Sequence, residues 1–212
     1  DSFTYRADNG ALSAVATVSI AVIPGPNKIP ETQPDTYATT EEVPYSRNAL
    51  QGVLANDIDP DGDAMTALLK SATPNGMLSL NEDGSFLYRP DVNFFGADTF
   101  TYAAFDGVAE SPSQTVTLNV GNTPDPPVAF PEQYATAPGV SIFVSIQDGV
   151  LANDYDPDQT VLTAELVTDV SSGSVTLLRS GAFFYSPANS NSGRVTFTYR
   201  ASDGVLQSPE TT

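Results

Sequence analysis

Apolar and polar residues alternate with a period of two along most of this chain, in short runs set apart by Gly, Pro, Asn and Asp. Phe100 and Tyr102 alternate with Thr99 and Thr101, and Val116, Leu118 and Val120 alternate with Thr115, Thr117 and Asn119. That period turns every second side chain to one face of a pleated strand, and no stretch of similar length carries helical spacing. The pattern predicts strands at 37–39, 50–54, 65–69, 77–80 and 85–88, and around Phe100 and Leu118. Between two of them, Asn81-Glu82-Asp83-Gly84 reads as a hairpin turn in which Gly84 takes positive φ. Short, evenly spaced strands rich in Thr, Val and Phe describe an all-β fold, an antiparallel sandwich of immunoglobulin type. Its core is expected to hold Tyr37, Leu54, Leu78, Leu80, Phe86, Tyr88, Phe100, Tyr102, Val116 and Leu118.

The pattern repeats. Asp57 and Asp154 stand 97 residues apart within matching stretches, and a Phe-Thr-Tyr triplet recurs at Phe3, Phe100 and Phe197. The chain therefore reads as the last strands of a truncated unit (1–26), a complete unit (27–122) and a second unit (123–212) lacking its final strand. The segment 24–34 and Thr123-Pro124-Asp125-Pro126-Pro127 are Pro-dense, which predicts short, semi-rigid joins and units strung like beads. The missing final strand, set against 16–22 as a spare one, also allows strand addition between copies.

The candidate chemistry lies in the acidic stretch from Val53 to Asp63. Asp57, Asp59, Asp61 and Asp63 occupy alternate positions, with Pro60 and Gly62 bending the chain between them. Alternate carboxylates on a tight bend suit a hard cation, because calcium takes six to eight oxygen ligands. The spacing fits the first half of an EF-hand loop, but Leu68 stands where that loop needs its bidentate Glu. Asp35, Glu41, Glu42 and Asp106 are candidates to complete a shell, and Asp106 before Gly107 is equally a turn residue. The second stretch keeps Asp154, Asp156 and Asp158. It has Gln159 and Thr160 for Gly62 and Asp63, and Pro138 and Gly139 for Glu41 and Glu42, so weaker calcium binding is expected there. Asp125 in the linker before it is a further candidate.

Composition narrows the remaining classes. A net charge of −18, from 26 acidic and 8 basic residues, argues against nucleic acid and anionic membrane surfaces and for cation binding. With no Cys and no His, thiolate nucleophiles, imidazole bases and the common zinc ligands are missing, which argues against an enzyme. No apolar run is long enough for a membrane helix. Tyr45, Phe94, Phe95 and Tyr155 are candidate platforms for a carbohydrate-binding module, set against a plainer role in the core.

The string Val-Leu-Ala-Asn-Asp57-Ile-Asp59-Pro-Asp61-Gly-Asp63 is followed by Asp83-Gly-Ser-Phe-Leu-Tyr88, Asn93-Phe-Phe-Gly96 and Asp98-Thr-Phe-Thr-Tyr102. Together these resemble the bacterial tandem-95 or cadherin-like immunoglobulin repeat of large surface proteins and RTX-type adhesins. The resemblance implies secretion or cell-surface location, long arrays stiffened by calcium, and a role in adhesion or biofilm matrix. Its implied partners are neighbouring repeats, other copies, and cell-surface glycans or proteins. The last unit departs from the pattern, since 188–193 has no Phe before Gly193 and Val195 replaces the Asp.

Overall fold

The structure, a computed structural model, describes residues 1–21, 23, 25–188 and 193–212. The end of the spare strand at Val22, Pro24 of the first join and most of the 188–193 loop lie outside the described residues. Among those described, no helix is long and apolar enough to cross a membrane.

Residues 1–26 contribute an antiparallel hairpin of β1 (Ser2–Asp8) and β2 (Ser13–Ser19), with Phe3 opposite Val18. Its large apolar side chains, Phe3, Tyr5 and Val15, are exposed. Seven strands follow: β3 (Asp35–Thr40), β4 (Tyr45–Arg47), β5 (Thr66–Ser71), β6 (Gly76–Leu80), β7 (Phe86–Pro90), β8 (Gly96–Phe105) and β9 (Gln114–Gly121). One sheet has the order β3-β9-β8-β5 and the other β4-β7-β6. Between them Val53, Phe86, Tyr88, Phe100, Tyr102, Val116 and Leu118 form the buried core, with Tyr37, Leu54, Leu78 and Leu80 packed partly buried at its rim. The alternation of β9, and of β8 up to Tyr102, thus places every second side chain inward, while Ala103 and Ala104 of β8 are buried in succession.

Two local expectations are corrected. Residues 50–54 are not a strand; Ala49–Gln51 is one turn of 3-10 helix, and the strand of that region is β4. The backbone donors of Gln51, Ala55 and Asp57 close local turns onto Asn48, Gly52 and Leu54, leaving no ladder to form. Leu50 is exposed, and among the apolar side chains of 50–54 only Val53 is fully buried. The sandwich is also not wholly antiparallel, because β3 runs parallel to β9 with Asp35 opposite Val116. First and last strands that run the same way place the entering and leaving linkers at opposite poles, as a tandem array requires.

The second unit repeats part of the plan with β10 (Ile142–Val144), β11 (Thr163–Thr168), β12 (Ser174–Leu177), β13 (Phe183–Ser186) and β14 (Thr198–Ser202); residues 132–137, the counterpart of β3, form no strand. Its core holds Val144, Val150, Val175, Phe183, Tyr185 and Tyr199. Where β9 lies in the first unit, the second has a groove of about 560 Å³ lined by Glu132, Ile142, Phe183, Phe197 and Tyr199 among others. Thr211 pairs with Tyr199 at one end of it.

Candidate metal centre

Each acidic turn is tied to the linker that precedes it. Glu31 pairs with Ile58, and Val128 pairs with Tyr155 in the same register. Pro30 and Pro127, one residue before each bridge, are fully buried. The joins are therefore docked against the turns they precede.

The first carboxylate of each turn faces inward. Asp57 Oδ1 accepts from the Gln33 amide at 2.9 Å, and its Oδ2 lies 2.8 Å from the Tyr102 hydroxyl, which also reaches the Val53 carbonyl at 2.7 Å. Asp35 lies on the other side of that hydroxyl at 3.5 Å. Burial first, and the Asp57 charge second, push Asp35 up to about 6, while burial raises Asp57 as well. In the second unit Tyr199 meets Val150 at 2.7 Å and Asp154 at 3.0 Å, and the Phe130 amide donates to Asp154 at 2.9 Å. Glu132 replaces Asp35 there and is pushed up to about 7, by burial and then by Asp154. In both units this trio fastens linker, turn and β-sheet together.

The second carboxylate organises the turn itself. Asp59 Oδ1 accepts from the amides of Asp61 at 2.8 Å and Asp63 at 3.1 Å. Asp156 Oδ1 does the same for Asp158 at 2.9 Å and Thr160 at 3.3 Å. The other oxygen of each, Oδ2, is buried without a partner. Asp63 is exposed. Asp106 caps its own turn, accepting from Val108 and Ala109 at 2.7 Å, and holds Asn27 at 2.9 Å; these bonds, the Ala109 amide first, keep its carboxyl below the usual range.

The carboxylates that converge come from three segments. Glu41 at the end of β3, Asp125 in the linker and Asp158 in the second turn present oxygens that all lie within 4.8 Å of one another. Glu41 is only 2% exposed. Its Oε1 accepts from the Thr123 amide at the start of the linker, and its Oε2 has no partner. Asp158 Oδ2 accepts from the Asp125 amide at 2.8 Å, and its Oδ1 is buried and unpaired. The Asn93 amide reaches both Asp125 Oδ2 at 3.3 Å and Glu42 Oε1 at 3.2 Å when its nitrogen faces them.

Three ionisable carboxylates gathered around unpaired buried oxygens form an arrangement that is costly without a cation. The donors are all oxygen, which fits a hard divalent ion such as calcium and not zinc or copper. Of the residues singled out by sequence, Glu41, Asp125 and Asp158 meet at this centre, whereas Asp57, Asp154 and Asp35 are tied to tyrosines. Glu41 completes the next unit's turn, not its own, because β3 carries it to the far pole. The platform candidates divide: Tyr45 and Phe94 pack against the first core, Phe95 is half-buried, and Tyr155 is exposed and stacked on Phe130.

The sequence profile of the bacterial cadherin-like domain matches residues 27–122 and 124–212. No curated protein sequence matches the chain. Among solved structures, protocadherin gamma B2 extracellular cadherin domains 1-5 align with 99% of this chain and 44% of theirs, at 12% identity and TM-score 0.59. Human CDH23 EC21-23 aligns with 87% of this chain and 68% of its own, at 17% identity and TM-score 0.55. At these identities the likeness is one of fold. An endo-fucoidan hydrolase from glycoside hydrolase family 107 aligns with 100% of this chain over 33% of its own length, at 17% identity and TM-score 0.40. That match corrects the exclusion of an enzyme from residue inventory. A stretch without His and Cys excludes nothing about the protein that carries it.

Proposed function

We propose, from the premise that this chain belongs to the bacterial cadherin-like domain family, that it is a calcium-binding structural repeat of an extracellular adhesin or surface-matrix protein, serving as stalk or spacer. The observation that carries the reading is the set of unpaired carboxylate oxygens that Glu41, Asp125 and Asp158 bring to one point between two units. Glu41, Asp125, Asp156 and Asp158 would hold the ion, with backbone carbonyls and water completing the shell. A bound divalent ion supplies positive charge that cancels their repulsion and links β3, the linker and the next unit's turn. Since those three segments belong to two units and their join, binding restricts how one unit swings on the other. The immediate partners are neighbouring repeats of the same chain.

Titration calorimetry of the chain with calcium tests the reading, with Glu41→Gln and Asp158→Asn as variants. Each is expected to weaken binding at least about tenfold, the ~1.4 kcal/mol that one charged ligand readily supplies. Heatless titration of the unaltered chain at millimolar calcium, with no change in melting, would remove the metal from the account.

A further inference from the structure

We infer that Lys28 is a built-in counter-ion at the first acidic turn, occupying the seat that Asp125 holds at the second, so that calcium acts on one join and a tethered ammonium on the other. The inference rests on the metal reading of the Glu41, Asp125 and Asp158 cluster and extends it to the regulation of the two joins.

Lys28 and Asp125 are separated by the repeat period and are held in the same way. The Lys28 amide donates to Asp61 Oδ2 at 2.6 Å, and the Asp125 amide donates to Asp158 Oδ2 at 2.8 Å. The bridges that follow, Glu31 with Ile58 and Val128 with Tyr155, show that both linkers then continue in register. The backbone seat is therefore shared, and the side-chain charge is reversed.

The two equivalent oxygens record the consequence. Asp61 Oδ1 has the Lys28 ammonium at 3.5 Å, whereas Asp158 Oδ1 is buried with no partner. An ammonium brings three donors and no acceptor, so it neutralises a carboxylate and cannot ligate a metal. Placed beside Asp61, it also repels a divalent cation. At the second join the same seat adds a third carboxylate to Glu41 and Asp158, which raises the charge around a metal and leaves the apo form self-repelling. The Lys28 side chain is 63% exposed, so its pairing is modest and is screened by salt, unlike coordination of an ion.

Exchange of the two residues in the full chain tests this, read by calcium titration and by melting in chelator. In Asp125→Lys, calcium affinity is expected to fall at least about tenfold, and melting in chelator to rise about 3 °C above Asp125→Asn, since only the lysine returns a charge to Asp158. Lys28→Asp is expected to melt about 3 °C lower than the unaltered chain in chelator and to recover with millimolar calcium. Asp125→Lys melting no higher than Asp125→Asn, or Lys28→Asp melting as the unaltered chain does, overturns the inference. The chelator arm does not depend on metal, so a chain that takes up no calcium at all would defeat the function proposed above while leaving this comparison readable.

Discussion

Tyr102 and Tyr199 each have one phenolic proton and several acceptors around it. Tyr102 has Val53 and Asp57 within hydrogen-bond range, with Asp35 at the limit, and Tyr199 has Val150, Asp154 and Glu132. Burial first, and the charge of the facing Asp57 or Asp154 second, make Asp35 and Glu132 hold their protons to higher pH. The folded state then binds more protons than the unfolded chain, so the stabilising proton is present at low pH and is lost as pH rises through the folded value. For Asp35 that window runs from the ordinary 3.8 to about 6, and for Glu132 from 4.5 to about 7. Asp35→Asn and Glu132→Gln are accordingly expected to melt higher than the unaltered chain at pH 8 and no higher near pH 4, a difference that scanning at the two pH values measures. Tyr102→Phe leaves the Val53 carbonyl and Asp57 short of a donor and is expected to destabilise the first unit by about 1–3 kcal/mol in denaturant titration. The acidic motif was legible as a string, but these pairings were not, since Asp57 and Tyr102 are far apart in the chain and nothing local marks which Asp faces inward.

At the scale of elements, period two located β5 to β9 well because each of those strands has one face in the core and one in water. It failed at 50–54, where the apolar residues are too few to form a face and the turn takes the backbone donors. Gly52 shows what decides that turn. A Cβ there would run into the carbonyl of Gly84, and Gly149 meets Gly181 in the same manner, while the Val53 amide donates to that Gly84 carbonyl at 3.0 Å. Gly52→Ala must push two backbones apart and is expected to cost about 3 kcal/mol, the upper range of single substitutions, whereas Gly25→Ala, which meets nothing, is expected to leave melting unchanged. The parallel pairing of β3 with β9 was likewise invisible in the pattern, because alternation reports which face is buried and not which neighbour lies alongside.

For the molecule as a whole, the proposed junction centre predicts a mechanical effect. Calcium at about a hundred times its dissociation constant is expected to add about 2.7 kcal/mol to the stability of the folded pair. In small-angle scattering the chain is expected to become longer and narrower in its distance distribution with calcium than with chelator, and Glu41→Gln is expected to abolish that response. A distribution indifferent to calcium would separate binding from stiffening. The sequence by itself determined the sandwich, the repeat and the hard-oxygen character of the chemistry, because strand periodicity, a fixed period of 97 and alternate Asp residues are all properties of neighbouring positions. Only the tertiary structure decided which carboxylates meet. The direction of β3 delivers Glu41 to the pole where the following unit's Asp158 arrives, and the buried Tyr199 ties Asp154 to the sheet instead. Convergence of charges from separate segments depends on strand direction and burial, and neither is written in local spacing.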